Sequence, residues 1–247
     1  MTLAIIGGTG LASLAGLEVR KVHAVQTEFG SPSMPVEQGE LYGADVLFLH
    51  RHGGSGTPIP PHRINYRANV QALAQLGVSK IVAVNAVGAI DPELRPGCLL
   101  FPDQLIDYTW GREHTFDDGS SGSLMHVDFT QPFSHAIRND LARAAERAAI
   151  PSVDRATVAV VQGPRLETAA EIRKFARDGC TLVGMTSMPE AALARESGID
   201  YASVCMVVNS AAGVGGSAAV DHAKIGETLK AQTALVARLL ESYLTAC

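Results

Sequence analysis

With 247 residues, 47% of them hydrophobic and 18% charged, the chain is too apolar and too weakly charged for a disordered protein and suits one large domain. Its 20 Lys and Arg against 25 Asp and Glu leave a net charge of −5, with the basic residues scattered; that argues against a nucleic-acid groove, while one or two placed arginines would suffice for a small anion. No apolar run approaches the ~18–20 residues of a membrane helix. In chain order the hydrophobic pattern predicts strands over Leu3–Ile6 and Val46–Leu49, a helix over Asn65–Leu76, a strand over Ile81–Val84 and a helix over His135–Ala149. A strand over Ala156–Val161, helices over Thr168–Asp178 and Pro189–Ser197, a strand over Ser203–Val208 and a last helix over roughly Asp221–Leu244 follow. Gln232 interrupts the apolar stripe of that last helix. Such alternation predicts a mostly parallel sheet with helices on both faces, in one domain spanning 1–247. Runs such as IVAVNAV fit strands buried on both sides.

The N-terminal MTLAIIGGTG has no basic flank and no cleavage site, so it reads as a buried strand rather than an export signal. Cys98, Cys180, Cys205 and Cys247 form no CxxC pair, which argues against zinc. Reduced thiols and a cytoplasmic location are expected. The Gly/Ser/Pro-rich loops Gly53–Pro61, Asp117–Ser123 and Ala211–Ala218 are long enough to expect function in them.

Several predicted strand ends carry anion-friendly chemistry. Gly7-Gly8-Thr9-Gly10 follows the first strand and exposes backbone N–H groups, or simply makes a tight turn. It is not a dinucleotide fingerprint, because Ser13 stands where the third glycine of GxGxxG would be. Arg51-His52-Gly53 follows the second strand; its guanidinium could fork onto a phosphate or lie on the surface. Asn85-Ala86-Val87-Gly88 ends the third, where ligands of open α/β sheets collect. In GPRLETAAEI, Thr168 and Glu171 have capping-box spacing, which leaves Glu167 unexplained by the helix start. In GMTSMPEA, Thr186 or Ser187 is placed to cap a helix or to hold a phosphate at its N-terminus. Asn209 ends a buried strand, where an amide needs partners.

Together AIIGGTG, RHG, NYRAN, VNAVGAI, PDQLIDYT, GPRLETAAEI, GMTSMPEAALARE and the strand ending in Asn209 resemble the trimeric purine nucleoside phosphorylase family, most closely its methylthio-nucleoside branch. The resemblance implies a three-layer αβα fold on a mixed central sheet, a homotrimer, and phosphorolysis of a purine nucleoside without metal or organic cofactor, phosphate being a co-substrate. By position it implies phosphate contacts from Thr9, Arg51, His52, Thr186 and the Ala86 N–H, and Met185 under the ribose. It puts Glu167 and Asn209 on the purine, with Arg51, His52 and Asn209 carrying catalysis. His126 would reach the 5′ end of a neighbour's ligand, and Val220 would meet a methylthio group. His222 lies near where the inosine enzymes place a histidine on the 5′-hydroxyl; the favoured expectation is an exposed residue near the start of the last helix.

Glu167 and Asn209 match the 6-oxopurine enzymes, not the adenine-specific ones, which carry serine and aspartate there with a second aspartate where Ala211 stands. The chemistry agrees: a carboxylate accepts from the N1–H of hypoxanthine and an amide donates to its O6, whereas adenine reverses both edges. 5′-Methylthioinosine is therefore the expected substrate. Inosine or guanosine phosphorolysis, methylthioadenosine phosphorolysis, and a nucleoside-binding module without turnover are the alternatives.

Overall fold

The structure, a computed structural model, describes residues 2–246 apart from 12, 55–57, 121–124 and 217–221, with the side chains of 222–224 left out. It begins with strands β1 (Thr2–Gly7), β2 (Glu18–His23), β3 (Val36–Leu41) and β4 (Ala44–His50), followed by helix α1 (Tyr66–Gln75) and the long strand β5 (Val78–Ala89). The middle of the chain gives β6 (Leu99–Leu100), β7 (Gln104–Tyr108), α2 (His135–Arg147), β8 (Ser152–Val153), β9 (Thr157–Val161) and α3 (Ala169–Arg177). β10 (Leu182–Gly184), α4 (Ser187–Glu196), β11 (Asp200–Ser210) and α5 (His222–Leu244) complete it.

The helices fall where the 3.6-residue apolar periodicity predicts, because each needs one buried face. α1 and α4 cover one side of the sheet with Tyr66, Val70, Leu73, Ala191 and Leu193. Helices α2 and α5 cover the other with Ile137, Leu141, Val236, Leu239 and Leu240. β5 shows why its sequence is apolar throughout: Ile81 and Ala83 face the first layer, Val82 and Val84 the second. α3 starts with the expected capping box: the Glu171 N–H donates to Thr168 Oγ1 at 3.1 Å, and the Thr168 N–H to Glu171 Oε2 at 2.7 Å.

Most strand pairings are parallel, as the alternation predicts, and antiparallel pairings between and beside the parallel sets make the sheet mixed, as the resemblance implies. β4, β1, β5 and β11 run parallel. A second parallel set, β7, β9 and β10, runs the opposite way, since β10 is antiparallel to β5 with Val183 opposite Gly88. β2, β3 and β4 add an antiparallel meander. The carboxyl ends of both parallel sets therefore point at one seam. β5 outruns β1, whose pairing stops at Ala83, and β10 takes up the same edge only at Gly88. The gap between them, along Val84–Val87, is where the site lies.

Gln232, the polar break in the α5 stripe, is 1% exposed and donates from Nε2 to the Val207 carbonyl at 3.1 Å. That carbonyl sits where the β11 register shifts between Val207 and Asn209. A bulge disrupts ladder bonding, and the buried amide supplies a partner there.

Candidate functional site

The cavity at the seam is about 230 Å³. Of the ten residues expected in the site, eight line it: Thr9, Arg51, His52 and Ala86, together with Glu167, Met185, Thr186 and Asn209. They arrive from the ends of six strands, β1, β4, β5, β9, β10 and β11. His126 does not line it and is exposed. Val220 lies outside the described residues, as does the side chain of His222, whose backbone opens α5.

Arg51 follows β4, and its N–H donates to the Gly7 carbonyl. Its side chain is 0% exposed, which rules out the surface reading. Nε and Nη2 donate to the two oxygens of Glu190 at 2.7 and 2.8 Å, and Nη1 donates to the Val84 carbonyl at 2.9 Å. Glu190, also 0% exposed, accepts a further hydrogen bond from the Tyr201 hydroxyl at 2.8 Å. Burial opposes the Arg51 charge, but the Glu190 carboxylate more than compensates and holds the guanidinium pKa above its ordinary value. A guanidinium has five N–H groups, so those not engaged remain for a ligand. Gly8 makes this approach feasible, because a Cβ there would stand 2.5 Å from the Val84 carbonyl oxygen and 2.6 Å from Arg51 Nη1.

His52 Nδ1 lies 2.9 Å from the Ile59 carbonyl. A carbonyl only accepts, so Nδ1 carries the proton. Burial, and then the neighbouring Arg51 charge, lower the His52 pKa against the opposing Ile59 bond, favouring a neutral ring whose Nε2 accepts. Thr186 precedes α4 but does not cap it; its hydroxyl donates to Asn85 Oδ1 at 2.8 Å. Asn85 Nδ2 in turn donates to Ser203 Oγ, so a buried polar chain fixes the hydroxyl. α4 is regular from Pro189, as expected, because Met188 is extended (φ −115°, ψ 136°) and sets Ser187 apart from the rest of the helix.

Glu167 stands just before the capping box, with its carboxyl pKa raised by burial. Asn209 sits directly after the β11 bulge and donates from Nδ2 to the Ser210 carbonyl at 2.7 Å, leaving its second amide hydrogen and Oδ1 available. Bulges commonly re-aim side chains beside sites in this way. Sequence reasoning missed Glu190, Tyr201 and Arg112. Glu190 reads as an ordinary acidic residue at a helix start, and only its place among the apolar neighbours of MPEAALA hints at a buried partner. Among the described residues no cluster of His, Cys, Asp and Glu has metal-binding geometry, and no helix is long and apolar enough to cross a membrane.

The Phosphorylase superfamily profile matches residues 2–245. A probable S-methyl-5'-thioinosine phosphorylase of Xylella fastidiosa is 50% identical over 225 residues, 91% of this chain and 94% of the relative. A 6-oxopurine nucleoside phosphorylase of Pyrococcus furiosus is 41% identical over 243 residues, 96% of this chain and 90% of the relative. The methylthioadenosine phosphorylase of Schistosoma mansoni in complex with adenine superimposes with a TM-score of 0.93 at 30% identity, covering 100% of this chain and 91% of the other. Sequence and fold thus agree over nearly the whole length, and the chain belongs to the phosphorylase superfamily.

Proposed function

We propose that the protein phosphorolyses a 6-oxopurine nucleoside, S-methyl-5'-thioinosine first among them, giving hypoxanthine and 5-methylthioribose 1-phosphate. The observation that carries this reading is the convergence on one cavity of a carboxylate and an amide, Glu167 and Asn209, with the anion-binding groups Thr9, Arg51, Ala86 and Thr186. The names of the Xylella and Pyrococcus relatives support it.

In this reading Arg51, the Thr9 hydroxyl and the Ala86 N–H hold phosphate under the anomeric carbon, while His52 Nε2 and Thr186 Oγ1, whose own hydrogen is on Asn85 Oδ1, accept from protonated phosphate oxygens. Positioning the nucleophile removes the entropic cost of encounter. Cleavage leaves positive charge on the sugar, which the phosphate faces, and negative charge on the purine, which the Asn209 amide stabilises through N7 or O6. Met185 packs against the sugar. No step requires a metal or an organic cofactor.

The test is base release from 5′-methylthioinosine, methylthioadenosine, inosine and adenosine, with and without phosphate. Phosphate-dependent release, fastest from methylthioinosine, is expected. Faster release from methylthioadenosine, or release independent of phosphate, overturns the reading.

The active form we propose is a homotrimer, in which His126 of one protomer approaches the 5′ end of its neighbour's ligand. The exposure of Trp110 and Leu166, which line two hollows that share Glu167, supports a covered face there. Light scattering should give three chains; an active monomer would contradict it. The proposed location is cytoplasmic.

Glu167 adds a pH dependence. As the pH falls through its raised pKa, the carboxylate takes a proton, loses its grip on N1–H, and gains a donor suited to N1 of adenine. The 6-oxo/6-amino ratio of kcat/KM should therefore fall as the pH is lowered from neutrality through the carboxylate range, with the fall beginning above where an ordinary glutamate titrates. A ratio flat over that interval would remove Glu167 from purine reading.

A further inference from the structure

The loop after β7 contributes a buried cation to which the reading above gives no role. Arg112 is 9% exposed, and none of the ion pairs among the described residues includes it. Its partners are instead mostly carbonyls. Nη1 donates to Met185 O at 2.8 Å and Met188 O at 2.5 Å. Nη2 donates to Gln162 O at 2.8 Å and Val161 O at 3.2 Å, and Nε to Gln162 Oε1 at 3.1 Å. The guanidinium lies 5.5 Å from the centre of the Tyr66 ring, and the Tyr66 hydroxyl donates to Pro61 O, whose residue lines the cavity.

These carbonyls belong to two different walls. Val161 and Gln162 lead out of β9 towards Glu167; Met185 and Met188 lead out of β10 through Thr186. Carbonyls at strand ends need donors once buried. Only a planar fork reaches two such sets at once, since an ammonium is a point donor on a flexible stem.

We propose that Arg112 is a positioning residue that locks the Glu167 wall to the Met185 wall, so that purine and sugar are gripped in one register. The proposal rests on the phosphorolysis reading. It weighs more on the nucleoside end than on the phosphate end, because Arg51 is anchored without it, through Glu190 and Val84, and Thr186, though it stands between Met185 and Met188, has its own tie to Asn85.

The test is steady-state kinetics of Arg112→Met, Arg112→Lys and Gln162→Met beside wild type. Arg112→Met should raise the nucleoside KM about tenfold or more and lower the 6-oxo/6-amino ratio, with phosphate KM within about threefold of wild type, as expected for lost positioning. Arg112→Lys should recover only part of both effects. Gln162→Met, which removes one acceptor and keeps the arginine, should move nucleoside KM and ratio the same way by about twofold or more. It carries the test if Arg112→Met fails to fold. Lowered thermal stability with wild-type KM values and ratio, or equal changes in both KM values, overturns the proposal. Wild type that releases no base with phosphate overturns the underlying reading instead.

Discussion

Arg51→Ala is expected to lose phosphate binding and stability together. The side chain donates to both oxygens of Glu190, and neither residue is exposed. Removing one partner of such a pair leaves a bare charge in the core and costs about 3–5 kcal/mol. At about 2–4 °C per kcal/mol for a chain of this size, the melting temperature should drop by roughly 6–20 °C. The phosphate KM should rise roughly 10–100-fold, the worth of one or more charge-assisted hydrogen bonds. The double variant Arg51→Met/Glu190→Leu tells the two losses apart. It removes both charges, so it should regain most of the stability while remaining unable to use phosphate. Unchanged phosphate dependence in either variant would remove Arg51 from the phosphate site.

Asn209→Asp should redirect purine choice without converting the enzyme. A carboxylate at that position repels O6 of a 6-oxopurine but accepts from the N6 amine of adenine. Glu167 would still face N1, and Ala211, 2% exposed, offers no second carboxylate. A large fall with methylthioinosine is expected, against a small fall or gain with methylthioadenosine. A misplaced buried polar contact costs ~1–3 kcal/mol, so the ratio of kcat/KM values should shift at least roughly tenfold. An unmoved ratio would show that Asn209 does not read the purine edge.

The five long helices and the core strands were legible because burial imposes a period on their sequences. The capping box at Thr168 marked the α3 start correctly, and Glu167 stood out because the cap did not need it. β2, with sequence EVRKVH, was not legible, since it is an exposed edge strand with no apolar period. β10 has three residues, too few for any pattern. Strand direction was also hidden: the antiparallel meeting of β10 and β5 joins residues some ninety positions apart, and no local signal records it. The site divides in the same way. Strand-end motifs exposed Thr9, Arg51, Ala86 and Asn209, and the family resemblance supplied their roles. The pairing of Arg51 with Glu190, 139 positions apart, could be seen only in the fold.

The gap along β5 links ligand to stability. Between the last pairing of β1 at Ala83 and the first of β10 at Gly88, the sheet leaves a stretch of inner edge open. Arg51 takes the Val84 carbonyl there, and Ala86, two residues on, turns its backbone to the same side. An anion that accepts from that N–H would sit on the inner edge of β5 between its pairings with β1 and β10. Such a ligand binds the native state and not the unfolded chain, so it shifts the folding equilibrium by mass action. At a hundred times its Kd the gain is about 2.7 kcal/mol. With phosphate as that anion, the unfolded fraction should rise about a hundredfold when phosphate is withdrawn from a hundred times its Kd.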